Sequence, residues 1–253
     1  MRRTRATLEA LPLAECFSEI SARRTAVRSF DNKRSIPSET MTRVLELTQE
    51  APSAFNLQPY KIVVVQSPEG KDALCQAMLG GNVKKVADAP VTVVFAADKD
   101  PARNARKLMD LEHAHGKSQE YVSSLPSKIT FLLGKGWLST KFRSVVTHLT
   151  SPISAAPNIR STDSTTEWAY KNASLAAAAY MYAATANGLA TAPMEGFDER
   201  RLCYSLGIDT ERYSIPLVIS TGYIAKSSVS DNKEDAGFTK KARFALEDMV
   251  EYR

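Results

Sequence analysis

Two uninterrupted runs of mostly β-branched residues, Tyr60–Gln66 (YKIVVVQ) and Val91–Ala97 (VTVVFAA), constrain the fold more than any other feature of the sequence. Neither alternates polar with apolar residues, so each is expected to be a strand buried on both faces, beneath helices. Ile215–Tyr223 (IPLVISTGY) is a third candidate strand. Helical stretches separate them: residues 13–22, Glu69–Leu79, Asp198–Leu206, and Ser38–Glu50, where Met41, Val44, Leu45 and Thr48 recur at helical spacing before Pro52 bars continuation. The clearest helix opens on the capping box Ser164-Thr165-Thr166-Glu167 and runs, rich in Ala, to a left-handed stop at Asn187-Gly188. Its small residues Ala176, Ala179, Ala183 and Ala186 permit close backbone approach, which suits a core or a subunit interface. Strands separated by long helices indicate an α/β or α+β fold.

Residues 100–165 read as a charged helical stretch, Asp100–Ser123, an apolar one, Ile129–Leu138, and a Ser/Pro/Thr-rich loop, Ser151–Thr165. The whole chain, 1–253, is expected to be one domain, since 43% hydrophobic and 24% charged residues are ordinary for a globular protein of 253 residues. The longest apolar run, Leu175–Ala184, is too short to span a membrane. Cys16, Cys75 and Cys203 are scattered, odd in number and without close His partners, so neither a disulfide framework nor a structural zinc is expected. His113 and His115, two residues apart, fall on different helix faces, and no metal site is assigned. Gly134-Lys135-Gly136 begins like a dinucleotide fingerprint, with Ile129–Leu133 as its would-be strand, but lacks the third Gly and the acid about 20 residues on.

The net charge of +5 is unevenly placed: residues 1–34 hold eight Arg or Lys against four acids. Such a cluster suits nucleic acid, a membrane surface, a targeting receptor or a phosphorylated small molecule. Arg2, Arg3 and Arg5 look like the start of a mitochondrial presequence, which Glu9 and Glu15 interrupt; a cytoplasmic location is expected, with organelle import as the alternative.

Three segments offer chemistry. Arg23-Arg24-Thr25-Ala26-Val27-Arg28 is an anion site or a solvated helix end. The Ala51–Tyr60 stretch, with Ser53, Asn56 and Gln58 between two prolines, suits either a heteroaromatic ring or turn duties. Ala192–Asp198 brings Gly196, whose backbone approaches a ligand or merely turns. No nucleophile elbow or phosphate-cradling P-loop occurs.

Taken in order, these segments resemble the flavin-dependent nitroreductase family. The likeness rests on Arg23–Asp31 ending in Phe-Asp, Ile36-Pro37, Ala51-Pro52-Ser53-Ala54-Phe55-Asn56-Leu57-Gln58-Pro59, Asp88-Ala89-Pro90, Trp168, Gly188-Leu189, Pro193-Met194-Glu195-Gly196-Phe197-Asp198 and Lys241-Ala242-Arg243. It covers about residues 15–245, with 100–165 poorly matched. The resemblance implies an α+β fold, a mostly antiparallel central sheet flanked by helices, and an intertwined homodimer with FMN at its interface. Residues 1–14 become an N-terminal extension and 100–165 a variable segment forming the substrate wall. Carried over by position, Arg23, Arg24 and Thr25 lie near the FMN phosphate and ribityl chain, joined by Lys241 and Arg243 from the tail. Arg28 faces the pyrimidine edge, Asn56 bonds the isoalloxazine, Pro52 and Ser53 shape its wall, and Glu195 and Gly196 present backbone near N5. The implied activity is ping-pong transfer from NADH or NADPH to a nitroaromatic or quinone acceptor, with no catalytic side chain. Reductive dehalogenation, azoline oxidation and flavin cleavage are alternatives on the same fold; a basic nucleic-acid-binding module is the alternative outside it. Anchored on Phe30-Asp31, the family's pattern places Ala26 where Ser or Thr is usual, whereas anchored on Arg23-Arg24-Thr25 it leaves one extra residue; Tyr60 stands where Trp is frequent.

Overall fold

The computed structural model describes residues 10–133, 137–150, 152–153, 165–225 and 241–253. In chain order the main elements are α1 (Ala10–Arg23), α2 (Ser38–Gln49), β1 (Tyr60–Val65), α3 (Pro68–Cys75), α4 (Asn82–Asp88), β2 (Val91–Asp98), α5 (Ala105–Ala114), α6 (Gln119–Leu133), α7 (Trp137–Thr150), α8 (Thr165–Ala186), β3 (Ala190–Met194), α9 (Glu199–Leu206) and β4 (Tyr213–Gly222). The described strands form one sheet in the order β1-β2-β4-β3, every neighbouring pair antiparallel.

The strand β2 is buried at every position, and its side chains alternate between two cores. Val91, Val93 and Phe95 join Met41 and Val44 of α2 and Ala176, Ala177 and Tyr180 of α8. Val94 and Ala96 face Leu74 of α3, Val86 of α4 and Leu202 of α9. Burial on both faces holds for β2 but not for β1, where Lys61 is exposed and Val65 alone is fully buried. The reason is topological: β1 is an edge strand, with one row of backbone groups facing away from the sheet. β3 forms the other edge, which leaves Pro193 tolerable there. Pro216 sits inside the central strand β4, and the ladder shifts register around it, Phe95 facing Leu217 while Ala97 faces Ser214. A proline has no ladder N–H to give, so the chain bulges at that point.

Several sequence expectations change. The stretch Glu69–Leu79 is helical only to Cys75, and a second short helix, α4, follows it. Asp100–Ser123 divides into separate helices, and Ile129–Leu133 is the end of α6, so no strand precedes Gly134-Lys135-Gly136; those three residues lie outside the described ones. β3 was not anticipated, being five residues long with a proline within it. The alanine face of α8 divides: Ala176 and Ala183 are buried, Ala179 is half-buried and Ala186 is exposed. The helix does stop as expected, with Gly188 at φ 74° and the Leu189 N–H closing onto the Ala184 carbonyl at 2.9 Å. Ser164 of the capping box and most of the Ser151–Thr165 loop lie outside the described residues.

Candidate functional site

The cationic segment leaves α1 at Arg23, which pairs with Glu19 one turn back. It then runs to the β3 edge, where Ala26 bridges Thr191 and the Val27 N–H donates to the Thr191 carbonyl at 3.1 Å. Beyond it, Phe30 is buried against the end of β4. A Cβ on Gly222 would lie 3.1 Å from Phe30 and 2.5 Å from Pro90, so only glycine admits both rings. The Asp88-Ala89-Pro90 motif is therefore a packing device. Arg23 and Thr25 line a small hollow of about 80 Å³ with Thr185, Gly188, Leu189, Ala190 and Ile224.

The tail returns to the same place. Lys241 Nζ donates to the Ser21 carbonyl at 2.8 Å, near the C-terminal end of α1. Its pKa is lowered by burial first, and then by the charges of Arg24 and Arg243. Arg24 and Arg243 thus stand near enough to Lys241 to disfavour its charge. This donor set fits a doubly charged phosphate, which would accept charge-assisted hydrogen bonds from such cations. Arg28, further along the segment, is exposed.

The Ala51–Tyr60 stretch lies at the opposite edge, beside β1. After Ser53 the chain takes left-handed backbone at Phe55 (φ 58°), Asn56 (φ 56°) and Gln58 (φ 46°). Such angles cost an ordinary residue roughly 1–2 kcal/mol, and persist where surrounding bonds impose them. Here the Ala54 N–H donates to Asn172 Oδ1 at 2.8 Å, the Gln58 N–H to Ser53 Oγ at 3.0 Å, and Asn56 Nδ2 to Glu112 Oε1 at 3.2 Å. Ser53 therefore has a turn duty, while Pro52 is exposed. Asn56 and Gln58 also border a cavity of about 730 Å³ between α2, β1 and α5, reached by Tyr60, Ile62, Lys107 and Arg212. Arg212 is anchored there by the buried carboxylate of Asp98, with Nη2 to Oδ2 at 2.7 Å and Nε to Oδ2 at 3.2 Å.

Glu195 and Gly196 follow β3. Glu195 is exposed, and the Gly196 carbonyl accepts from the Leu79 N–H at 3.0 Å and from Asn82 Nδ2 at 3.1 Å. Lys85 Nζ donates in turn to Asn82 Oδ1 at 3.1 Å. Sequence reading passed over Asn82 and Lys85, because the short helix that presents them was not recognised; the Gly80-Gly81 pair before Asn82 was the available signal.

The site residues thus form two groups. Arg23, Arg24, Thr25, Lys241 and Arg243 gather at the end of α1, on the β3 side where Glu195 and Gly196 also lie. Pro52, Ser53 and Asn56 lie on the β1 side. Two strands intervene between these edges, a separation of roughly 14 Å at ordinary strand spacing. Among the described residues no cluster of potential metal ligands occurs, and no helix is long and apolar enough to cross a membrane.

Comparison with known proteins agrees with this architecture. A candidate NAD(P)H nitroreductase of Bacillus subtilis, YdgI, is 27% identical over 210 residues, covering 83% of this chain and 88% of that protein. A protein of Stutzerimonas stutzeri, named as a candidate NADH dehydrogenase/NAD(P)H nitroreductase, is 28% identical over 226 residues, covering 89% and 92%. Among solved structures, the candidate nitroreductase ydfN of Bacillus subtilis superimposes with a TM-score of 0.72 at 24% identity, covering 95% of this chain and all of that one. A candidate nitroreductase of Exiguobacterium sibiricum, solved in complex with FMN, gives 0.69 at 19% identity, covering 94% and 97%. These relatives are bacterial, which lends the presequence reading no support; Arg2, Arg3 and Arg5 lie outside the described residues. The nitroreductase family model matches residues 20–223, and the chain belongs to that family.

Proposed function

We propose that the protein is a single-domain, FMN-dependent oxidoreductase that accepts reducing equivalents from NADH or NADPH and passes them to a nitroaromatic or quinone acceptor. The observation that carries the reading is the return of the tail to the end of α1, where Lys241 Nζ donates to the Ser21 carbonyl at 2.8 Å and feels the charges of Arg24 and Arg243. Family membership and the FMN complex of the Exiguobacterium relative support FMN phosphate as that anion. FMN held there would supply two-electron chemistry, with donor and acceptor taken in turn as in ping-pong kinetics.

The chain's own residues bind, orient and polarise. Arg23, Arg24, Thr25, Lys241 and Arg243 hold the phosphate end. Arg28 places positive charge by the pyrimidine edge, where negative charge grows on reduction. Glu195 and Gly196 would face the flavin near N5, and Asn82, itself bonded by Lys85, holds the Gly196 carbonyl. Pro52, Ser53 and Asn56 lie at the far edge of the sheet, too distant to enclose the same ring from the same chain. A two-fold partner would bring its copy of that loop over the flavin, so the active form is a homodimer. The bacterial relatives and the absence of a described spanning helix fit a cytoplasmic location.

The test is an assay of FMN-supplemented protein with NADH or NADPH, varying a quinone and a nitroaromatic. Parallel double-reciprocal plots are expected. Failure to consume either donor with either acceptor would assign the fold to other flavin chemistry.

A further inference from the structure

Glu112 breaks the pattern of its helix. The buried residues of α5 are Ala105, Leu108 and Glu112, at positions i, i+3 and i+7 of one face. Ala105 and Leu108 pack there against Leu57 and against Leu125 and Ile129 of α6. An apolar residue would extend that face, yet a carboxylate stands in its place with only 8% of the residue exposed. Among the described residues no ion pair involves it, and its hydrogen-bond partner is Asn56 Nδ2 at 3.2 Å. Taking a carboxylate out of water is costly, and an apolar side chain of similar size at such a place is often neutral or stabilising. Stability alone would therefore favour leucine at this position.

The bond also fixes the Asn56 amide. An ionised carboxylate accepts hydrogen bonds and donates none, so the amide nitrogen must be the end that faces Glu112. At the other end Gln58 Nε2 donates to Asn56 Oδ1 at 3.3 Å. The two ends of the amide are thus held by different partners, in an exposed residue whose backbone is left-handed at φ 56°. One N–H of Nδ2 remains to donate outward.

We propose that Glu112 is a positioning residue, which holds the Asn56 amide so that its second N–H donates to a carbonyl oxygen or ring nitrogen of a bound isoalloxazine. The proposal rests on the FMN reading above and adds to it a residue from the segment that the family's pattern matches poorly. Were the amide turned over, Asn56 would set its own oxygen against those acceptors, and the hydrogen bond would be lost. Glu112 thus acts through Asn56 and need not touch the flavin itself.

The test combines FMN affinity, read by quenching of flavin fluorescence, with urea denaturation of the same full-length variants. Glu112→Leu is expected to unfold at an equal or higher urea concentration, because it completes the apolar face, and yet to bind FMN about tenfold more weakly. Glu112→Gln retains an oxygen that accepts from Nδ2 and should bind within about threefold of the parent protein. Asn56→Ala should weaken binding about tenfold in the parent, but by less than about twofold in the Glu112→Leu background, since both changes remove one interaction. Additive losses, or a loss in Glu112→Leu that accompanies a lowered urea midpoint and is not restored in Glu112→Gln, would reduce Glu112 to a structural part and overturn the proposal. Tight FMN binding by the parent and equally by Glu112→Leu overturns the role of Glu112 alone, whereas a parent protein that binds no FMN overturns the flavin reading and this role with it.

Discussion

Lys241 sits where burial, then Arg24, then Arg243 disfavour its charge, so its pKa lies below the ordinary 10.5. Between the folded and unfolded values the unfolded chain holds the extra proton, and stability rises as pH climbs through that window. Below it the charged lysine is disfavoured, and a bound phosphate would relieve that cost. Lys241→Gln is therefore expected to change stability without ligand by no more than about 0.5 kcal/mol, yet to weaken FMN binding about tenfold, a loss of about 1.4 kcal/mol, read by quenching of flavin fluorescence. Equal affinities would remove Lys241 from the site. Arg28→Ala should weaken flavin retention or slow its reduction in stopped-flow absorbance, and leaving both unchanged would refute its role. Phe55 supplies a different kind of test, since its left-handed φ of 58° suits glycine. Phe55→Gly should be more stable than Phe55→Ala by about 1 kcal/mol in urea denaturation, the reverse of the usual order.

At the scale of elements, α8 organises the site from behind. Buried Asn172 spans two elements, accepting from the Ala54 N–H at 2.8 Å and donating to the Trp168 carbonyl at 2.8 Å. Asn172→Ala leaves the Ala54 N–H unpaired and should cost about 1–3 kcal/mol in urea denaturation, with the left-handed loop loosened and turnover reduced. A change below about 0.3 kcal/mol would mean that the loop holds its shape unaided. The sequence disclosed α8, α2 and the strands β2 and β4 because long apolar periods and a Gly188 stop are local signals. It disclosed the site motifs because their residue types are distinctive in order. It did not disclose β3, whose five residues include Pro193, nor α4, whose seven residues show one buried position, Val86. With α4 unseen, Asn82 and Lys85 were also missed. Nor does any local pattern say that Tyr60–Val65 becomes an edge strand, since that depends on pairing across the whole sheet.

For the molecule as a whole, the decisive feature is that the site residues occupy opposite edges of one sheet. On the proposed reading one chain would supply a phosphate cradle at β3 and a flavin-facing loop at β1, and two chains in two-fold register would complete two sites. Light scattering during size exclusion should therefore give twice the chain mass, and a monomer that still retains flavin tightly would refute shared sites. The central claim is that Arg24, Lys241 and Arg243 hold FMN for a reaction driven by a nicotinamide. It is tested most directly by the visible absorbance of protein saturated with FMN and separated from free flavin, followed by anaerobic NADH or NADPH. A flavin band that remains with the protein and bleaches with one donor is expected; a colourless protein after saturation, or a bound band that neither donor bleaches, would contradict it.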